Sequence, residues 1–245
     1  MIIIRYSEIG TKGKNRKLFE KQLQKNIKHC LKKNNIEFEK VLIFRGRLLV
    51  YTKSKCPELS KIFGIASYSY SDEYEQDLDL IKKESIKFYK EGTFRITCQR
   101  MDKVFGTSNE IAQEVGAYIF ETANAPVDLH NPDINIHIEF FNFRAYIYTE
   151  KIPGLGGLPI GTDSRVVLLL QNKDSVKAGL LMMRRGCALD VIKEKNIDYS
   201  ELKEYEYGFS IKELEEIPED VEGVVVSDTV DSLKDYPYFV LRPLI

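Results

Sequence analysis

Apolar positions in the first seventy residues fall into short β-type runs interrupted by one long helical period. Ile2–Tyr6 is a β-rich run. Residues 14–33 carry Leu18, Phe19, Leu23, Ile27 and Leu31 at helical spacing, which predicts a helix with one apolar face. Two strands follow, Val41–Phe44 and Arg47–Tyr51, around a turn that includes Gly46. Cys56-Pro57 opens a second helix, Glu58–Phe63, stopped by Gly64, and Tyr68–Tyr70 reads as a last strand. The order β-α-β-β-α-β is that of a ferredoxin-like unit.

The next stretch predicts a helix over Leu78–Tyr89 and a strand over Thr93–Gln99. A second helix is expected from an N-cap at Ser108, with Glu110 just inside, to about Thr122. Asn131-Pro132-Asp133 is a turn, and Asn135–Phe140 pairs with Ala145–Glu150 as a hairpin around Asn142-Phe143. This makes a mixed α/β unit. Residues 152–161 hold four glycines and two prolines, which reads as a linker or a tight hinge. Residues 165–186 then read as strand, loop and helix. The remainder predicts a short helix from Asp198 to about Tyr205, an acidic stretch over Ile211–Glu222 and a strand over Gly223–Ser227. Too few residues follow Gly186 for a full doubly wound nucleotide domain.

Composition narrows the class. Of 245 residues, 43% are hydrophobic and 30% charged, a globular balance that excludes a disordered chain. No apolar run nears the ~20 residues that span a bilayer, so no membrane partner is expected. The opening Met1-Ile-Ile-Ile-Arg5 lacks the basic-then-apolar plan of a signal peptide, and a cytoplasmic protein is expected. Cys30, Cys56, Cys98 and Cys187 form no C-x-x-C pair, which argues against a zinc knuckle and for packing thiols. His29, His130 and His137 are scattered; no metal site and no catalytic set can be read from their spacing.

Charge is lopsided beneath a net of −1. Residues 1–55 hold 15 Lys/Arg against 4 Asp/Glu, while residues 190–245 hold 6 against 15. A basic head suits a polyanion; an acidic tail repels one and suits a protein partner instead. The candidate RNA contacts are Lys12, Lys14, Arg16 and Lys17 before the first helix, and Arg95, Arg100 and Lys103 on or after a strand of the second unit. Flexible cations on a flat or concave face are what phosphate contacts need. Phe105 is a candidate to stack on a base.

The loop Leu170-Gln171-Asn172-Lys173-Asp174-Ser175 sits where a strand-loop-helix unit would grip a phosphate, yet it contains no glycine. Bulk at Leu170 and Gln171 crowds such a site, and Asp174 or Ser175 is expected to cap the following helix.

Several of these stretches together resemble the tRNA 4-thiouridine synthetase (tRNA sulfurtransferase) family. The matches are Arg5-Tyr-Ser-Glu-Ile-Gly-Thr-Lys-Gly-Lys-Asn-Arg16, then Phe94-Arg-Ile96 through Gln99-Arg100 and Phe105-Gly-Thr-Ser108, then Asn131-Pro-Asp133 and Gly156-Gly-Leu-Pro-Ile-Gly161. The resemblance implies an α+β / α/β chain: a ferredoxin-like domain over 1–75, an α/β THUMP RNA-binding domain over 76–157, and a reduced ATP-pyrophosphatase remnant over 158–245. In that family the first two modules grip the acceptor end of tRNA. ATP adenylates the uridine O4, and sulfur then displaces AMP. The ATP site there carries Ser-Gly-Gly-x-Asp-Ser, followed by a helix with Leu-Met-Met-Lys/Arg-Arg-Gly. This chain keeps Asp174-Ser175 and Leu181-Met-Met-Arg-Arg-Gly186 but has Leu170-Gln171-Asn172 at the Ser-Gly-Gly positions. The expectation is a tRNA-binding adaptor with no catalytic residue and no cofactor, working with a separate catalytic or sulfur-carrier protein. The alternative is an active sulfurtransferase that uses Mg-ATP through a divergent loop.

Overall fold

The computed structural model describes every residue except Arg45 and Val104. In chain order the elements are β1 (Ile2–Arg5), α1 (Arg16–Lys33), β2 (Lys40–Phe44), β3 (Arg47–Tyr51), β4 (Ser67–Tyr70), β5 (Asp72–Glu75), α2 (Leu78–Ser85), β6 (Phe94–Arg100), α3 (Ser108–Ala123), β7 (Ile134–Phe141), β8 (Arg144–Tyr148), β9 (Ile152–Pro153), β10 (Arg165–Leu169), α4 (Asp174–Arg184), β11 (Ala188–Ile192), α5 (Ser200–Lys203), β12 (Val224–Val225) and β13 (Val240–Leu241). They form two compact units. One comprises residues 1–3 and 69–152; the other comprises residues 4–68 and 153–245.

The first sheet runs β2-β3-β1-β4-β9, and its first four strands have the ferredoxin-like order expected from the sequence. Helix α1 begins two residues later than its periodicity suggests, because two 3₁₀ turns, Glu8–Thr11 and Gly13–Asn15, precede it. The second helix of the motif is only a 3₁₀ turn, Pro57–Lys61. The six residues between Pro57 and the stop at Gly64 are too few to establish an α-helical ladder.

Residues 152–161 are not a free linker. Ile152–Pro153 joins the sheet as edge strand β9. The Gly156 carbonyl accepts from the Gly64 N–H (2.7 Å) and the Leu158 N–H donates to the Arg184 carbonyl (2.8 Å). Gly157 has φ +71°, and a Cβ there would lie 2.4 Å from the Arg184 oxygen, so only glycine allows this approach. Buried Asn26 of α1 donates to the Ile160 carbonyl at 3.0 Å, and Gln22 donates to the same oxygen at 3.0 Å. Phe63 lies in the same apolar cluster as Ile160, Leu168, Met183 and Leu189, and its ring meets Tyr205 at 5.4 Å. The ferredoxin-like segment and the C-terminal segment thus share a core.

That C-terminal segment carries a wholly parallel sheet, β11-β10-β12-β13. Strand β11 went unread in the sequence because Ala188–Ile192 follows the helix after only a short turn. The helix before it extends over Asp174–Arg184, and α5 and β12 are each shorter than expected.

The other unit has sheet order β5-β8-β7-β6, with β6 and β7 parallel and the remaining pairs antiparallel. Helices α2 and α3 cover it through Ile81, Ile111, Val115 and Ile119, all fully buried against Ile136, Ile138 and Phe140. The cap of α3 is Thr107, not Ser108. Its hydroxyl accepts from the Glu110 N–H (3.2 Å) and the Glu110 carboxylate accepts from the Thr107 N–H (2.6 Å), which completes a capping box.

Gly157→Ala should destabilise the chain by on the order of 3 kcal/mol through positive φ and backbone collision. Asn26→Ala should cost about 2 kcal/mol by removing a buried donor. Urea unfolding of each variant measures both, and equal midpoints for variant and parent would contradict the shared core.

Candidate nucleic-acid interface and the loop after β10

The two cation groups singled out in the sequence lie on different units. In the first group Lys12, Lys14 and Lys17 stand on the 3₁₀ turns and the first turn of α1, with Lys14 and Lys17 exposed. Lys12 sits 5.1 Å from the Phe19 ring centroid, a cation–π contact that holds its ammonium at the surface. Lys14, Arg16, Lys17 and Lys21 line a cleft of about 680 Å³ floored by Ile43 and Phe44.

Arg16 is more committed than the sequence suggests. Its guanidinium donates to the Tyr6 hydroxyl (Nε at 3.0 Å, Nη2 at 2.5 Å) and to Glu20 (2.9 Å). Tyr6 in turn donates to Glu20 and accepts from the Gly46 N–H at 3.2 Å. Burial first, and then the neighbouring Glu20, push the Tyr6 phenol up from its ordinary value. Arg16 therefore fixes the wall of the cleft, while Lys14, Lys17 and Lys21 line it.

On the other unit, Arg95 and Arg100 mark the two ends of β6, both half-buried, and Lys103 is exposed just beyond. Arg95 donates from Nη1 to the Leu129 carbonyl (2.9 Å) and lines a cleft of about 410 Å³ with Asn109, Gln113 and Gly116. Val127 and Leu129, 50% and 63% exposed, form its apolar rim. Sequence periodicity missed this cleft because it depends on small residues of α3 facing β6. Phe105 is 38% exposed with φ +55°, and its ring meets Phe140 edge-on at 6.1 Å. A left-handed backbone at a bulky residue is uncommon and presents the ring at the surface.

The loops around this unit are clamped by carboxylates. Asp133 accepts from both the Thr93 N–H (2.7 Å) and hydroxyl (2.8 Å). Asp128 accepts from the His130 and Asn131 N–H groups at 2.8 and 3.0 Å. Those backbone donors hold both carboxyls below the usual range, as Thr107 does for Glu110.

The loop after β10 lies at the carboxyl end of a parallel strand, where open α/β sheets bind ligands. Among the described residues, five of its six N–H groups, all but that of Lys173, are bonded within the chain. Ser175 Oγ accepts from the Gln171 N–H (3.0 Å) and the Asn172 N–H (3.2 Å), and its hydroxyl donates to Ser227 (3.1 Å). The Asp174 N–H donates to the Asn172 side chain (2.8 Å) and the Ser175 N–H to the Asn172 carbonyl (3.1 Å). No residue from Leu170 to Ser175 has positive φ, and Leu170 and Gln171 are buried. Ser175 therefore works inside the loop instead of capping α4 in the usual way; the N-cap is Lys173, with no side-chain cap bond, and Asp174 is the first helical residue. Gln171 donates to Glu194 (3.0 Å) and to Tyr236 (3.2 Å), and Tyr236 donates to buried Asp228 (3.1 Å), which also accepts from Arg242 (3.3 Å). This network occupies the ends of β10, β12 and β13. The residues present fit a triphosphate poorly: Leu170 and Gln171 are buried side chains where a close backbone approach is needed, and the N–H groups of Gln171, Asn172, Asp174 and Ser175 are bonded within the chain.

Cys187 is buried, and burial pushes its thiol up to about 11, which suits packing rather than sulfur transfer. Among the described residues no group of three or more His, Cys, Asp or Glu is placed to hold a metal, and no helix is long and apolar enough to cross a membrane.

A ferredoxin-like sheet followed by this α/β unit and a parallel sheet defines a THUMP protein with a ferredoxin-like head. The ThiI ferredoxin-like domain model matches residues 1–69 and the THUMP domain model matches residues 75–150. The chain is 37% identical over 232 residues to a probable tRNA sulfurtransferase of Thermococcus kodakarensis, covering 85% of this chain and 61% of the relative. It is 38% identical to another from Natranaerobius thermophilus, covering 76% and 49%. Among solved structures it superposes on PH1313 from Pyrococcus horikoshii OT3 with a TM-score of 0.86 at 33% identity, covering 100% of this chain and 94% of that one. A 4-thiouridine synthetase–RNA complex with bound ATP matches with a TM-score of 0.65 at 33% identity, covering 78% of this chain and 52% of that one. The chain belongs to the tRNA sulfurtransferase (4-thiouridine synthetase) family, and it spans about half to three-fifths of the length of the curated relatives it matches.

The lowered carboxylates set a pH dependence. A group held below its unfolded value stabilises the fold above that value and loses the contribution as pH falls through the folded one. The melting temperature should drop below about pH 4, and Asp133→Asn should flatten that drop while lowering the plateau at neutral pH. An identical pH profile for the variant and the parent would remove the clamp from the account.

Proposed function

We propose that this chain is a tRNA-binding protein of a 4-thiouridine-type modification pathway, and that it presents the acceptor end of tRNA without catalysing the transfer itself. The observation that carries the reading is that each of the two segments carries its own group of cations, while most N–H groups of the loop after β10 are internally bonded. Lys12, Lys14 and Lys17 on one segment, and Arg95, Arg100 and Lys103 on the other, suit a double-stranded acceptor stem, which is read through shape and phosphates rather than base edges. Phe105 is suited to stack on an unpaired base. Catalysis then falls to a separate enzyme or sulfur carrier, and the acidic stretch after Ile211, unsuited to RNA, is where such a protein would dock.

The names of the relatives support a second reading, an active ATP-dependent tRNA sulfurtransferase working through a rearranged loop. ATP binding separates the two. Titration calorimetry with millimolar Mg-ATP should give no heat and no change in melting temperature under the adaptor reading. Saturable heat would favour the enzyme.

Replacing Arg100 and Lys103 with Ala should weaken binding of unmodified tRNA transcripts about equally across sequences and lower the salt slope of the binding constant by about two. A variant with the parent's slope would take these two residues out of the interface.

A further inference from the structure

We propose that a second phosphate-binding groove, between the C-terminal half of α1 and the Gly208–Ser210 loop, extends the RNA interface along the whole length of α1. The proposal rests on the RNA-binding reading above and adds residues to it that neither cation group contains.

Lys14, Lys17, Lys21, Lys25, Lys28 and Lys32 follow one another at steps of three or four residues. Such steps keep side chains on one face of a helix. From Lys17 to Lys32 the row covers about 22 Å at the α-helical rise. The apolar face fixes its direction: Leu23, Ile27 and Leu31 are fully buried, so the helix has no freedom to turn the lysines elsewhere. The only acid in α1 is Glu20, which is held by Arg16 and Tyr6. Among the described residues Lys17, Lys21, Lys25, Lys28 and Lys32 make no ion pair.

A row of lysines alone is an ordinary solvated helix face. Here it borders a concave surface at each end. The first three residues line the cleft already described. Lys25, Lys28 and Lys32 line a second groove of about 660 Å³ whose opposite wall is Arg165 with Gly208, Phe209 and Ser210. No acidic residue lines it. Arg165 comes from β10 and is held in place by Asp190 (2.7 Å) and the Ser210 carbonyl (3.3 Å). Cations from two separate elements therefore face one trough, as a phosphodiester chain requires and a protein surface in need only of solubility does not.

The wall is built by a glycine. Gly208 has φ +85°, and a Cβ on it would lie 2.0 Å from the Asn26 side-chain oxygen. Its N–H donates to His29 Nδ1 at 3.1 Å. A neutral imidazole that accepts at Nδ1 carries its proton on Nε2, so His29, which also lines the groove, adds a donor there. An anionic bilayer is the other polyanion to weigh. A helix that lies in a bilayer needs an exposed apolar face, and Leu23, Ile27 and Leu31 of α1 are spent on the core, leaving Leu18 as an isolated exposed apolar side chain near its start.

The test is fluorescence anisotropy of a labelled, unmodified tRNA transcript with the full chain and with the K25A/K28A/K32A variant, from 50 to about 300 mM salt. The variant should bind about tenfold or more weakly at 0.1 M salt, with a salt slope smaller by about two to three, and should melt at the parent's temperature, since these side chains lie outside the core. If the variant keeps the parent's affinity and slope while the R100A/K103A variant loses both, the groove carries no RNA and the RNA-binding reading stands without it. If the parent fails to bind tRNA even at 50 mM salt, both fall. Binding of the parent, but not the variant, to phosphatidylserine vesicles with no loss of tRNA affinity in the variant would assign the stripe to a membrane surface and overturn the proposal.

Discussion

One backbone carbonyl, that of Ile160, is gripped by two amides of α1, Gln22 and Asn26, and much of the larger unit depends on that grip. The contact ties the glycine-rich run to the ferredoxin-like helix and so lets Phe63 complete the core beneath the parallel sheet. A buried amide that loses its partner is costly, so the contact selects one docking geometry over a sliding one. It also decides what α1 can do on its outer face. A helix held by an apolar stripe and by two side-chain amides presents its remaining residues in a fixed line.

That arrangement links charge to architecture. The basic head recognised from composition is not a diffuse cloud; its members are distributed over 3₁₀ turns, one helix face and the borders of two clefts. Some cations serve the fold. Arg16 closes a cluster with Tyr6 and Glu20, while Arg165 both holds Asp190 and lines the second groove. Others are left to meet solvent or a ligand. Electrostatics of this kind acts through the number of cations that reach phosphates together rather than through any one of them.

Much of the fold was legible because its signals are local. The period of α1, the pairing of β7 with β8 around Asn142-Phe143 and the strand-loop-helix over 165–184 all follow from spacing and turn chemistry. What escaped depends on distant partners. The glycines of 154–161 look like a flexible link in sequence and are instead the places where backbone meets backbone. Gln171, Tyr236, Asp228 and Arg242 come together only because parallel strands bring their carboxyl ends side by side. The second groove was half visible: its lysines show a plain helical spacing, but Arg165, 140 positions beyond Lys25, carries no sign in sequence that it faces them.

The hydroxyl of Ser175, bonded to two loop N–H groups and to Ser227, makes the loop resistant to change at any single position. A glycine placed at position 171 would remove the side chain that Glu194 and Tyr236 hold, yet the two N–H groups would still be bonded to Ser175. Freeing those N–H groups for an anion would take changes at more than one position, since the Ser175 hydroxyl holds both. The side-chain bonds at Gln171 and the hydroxyl bonds at Ser175 are thus coupled: changing either one alone leaves the other's partners in place.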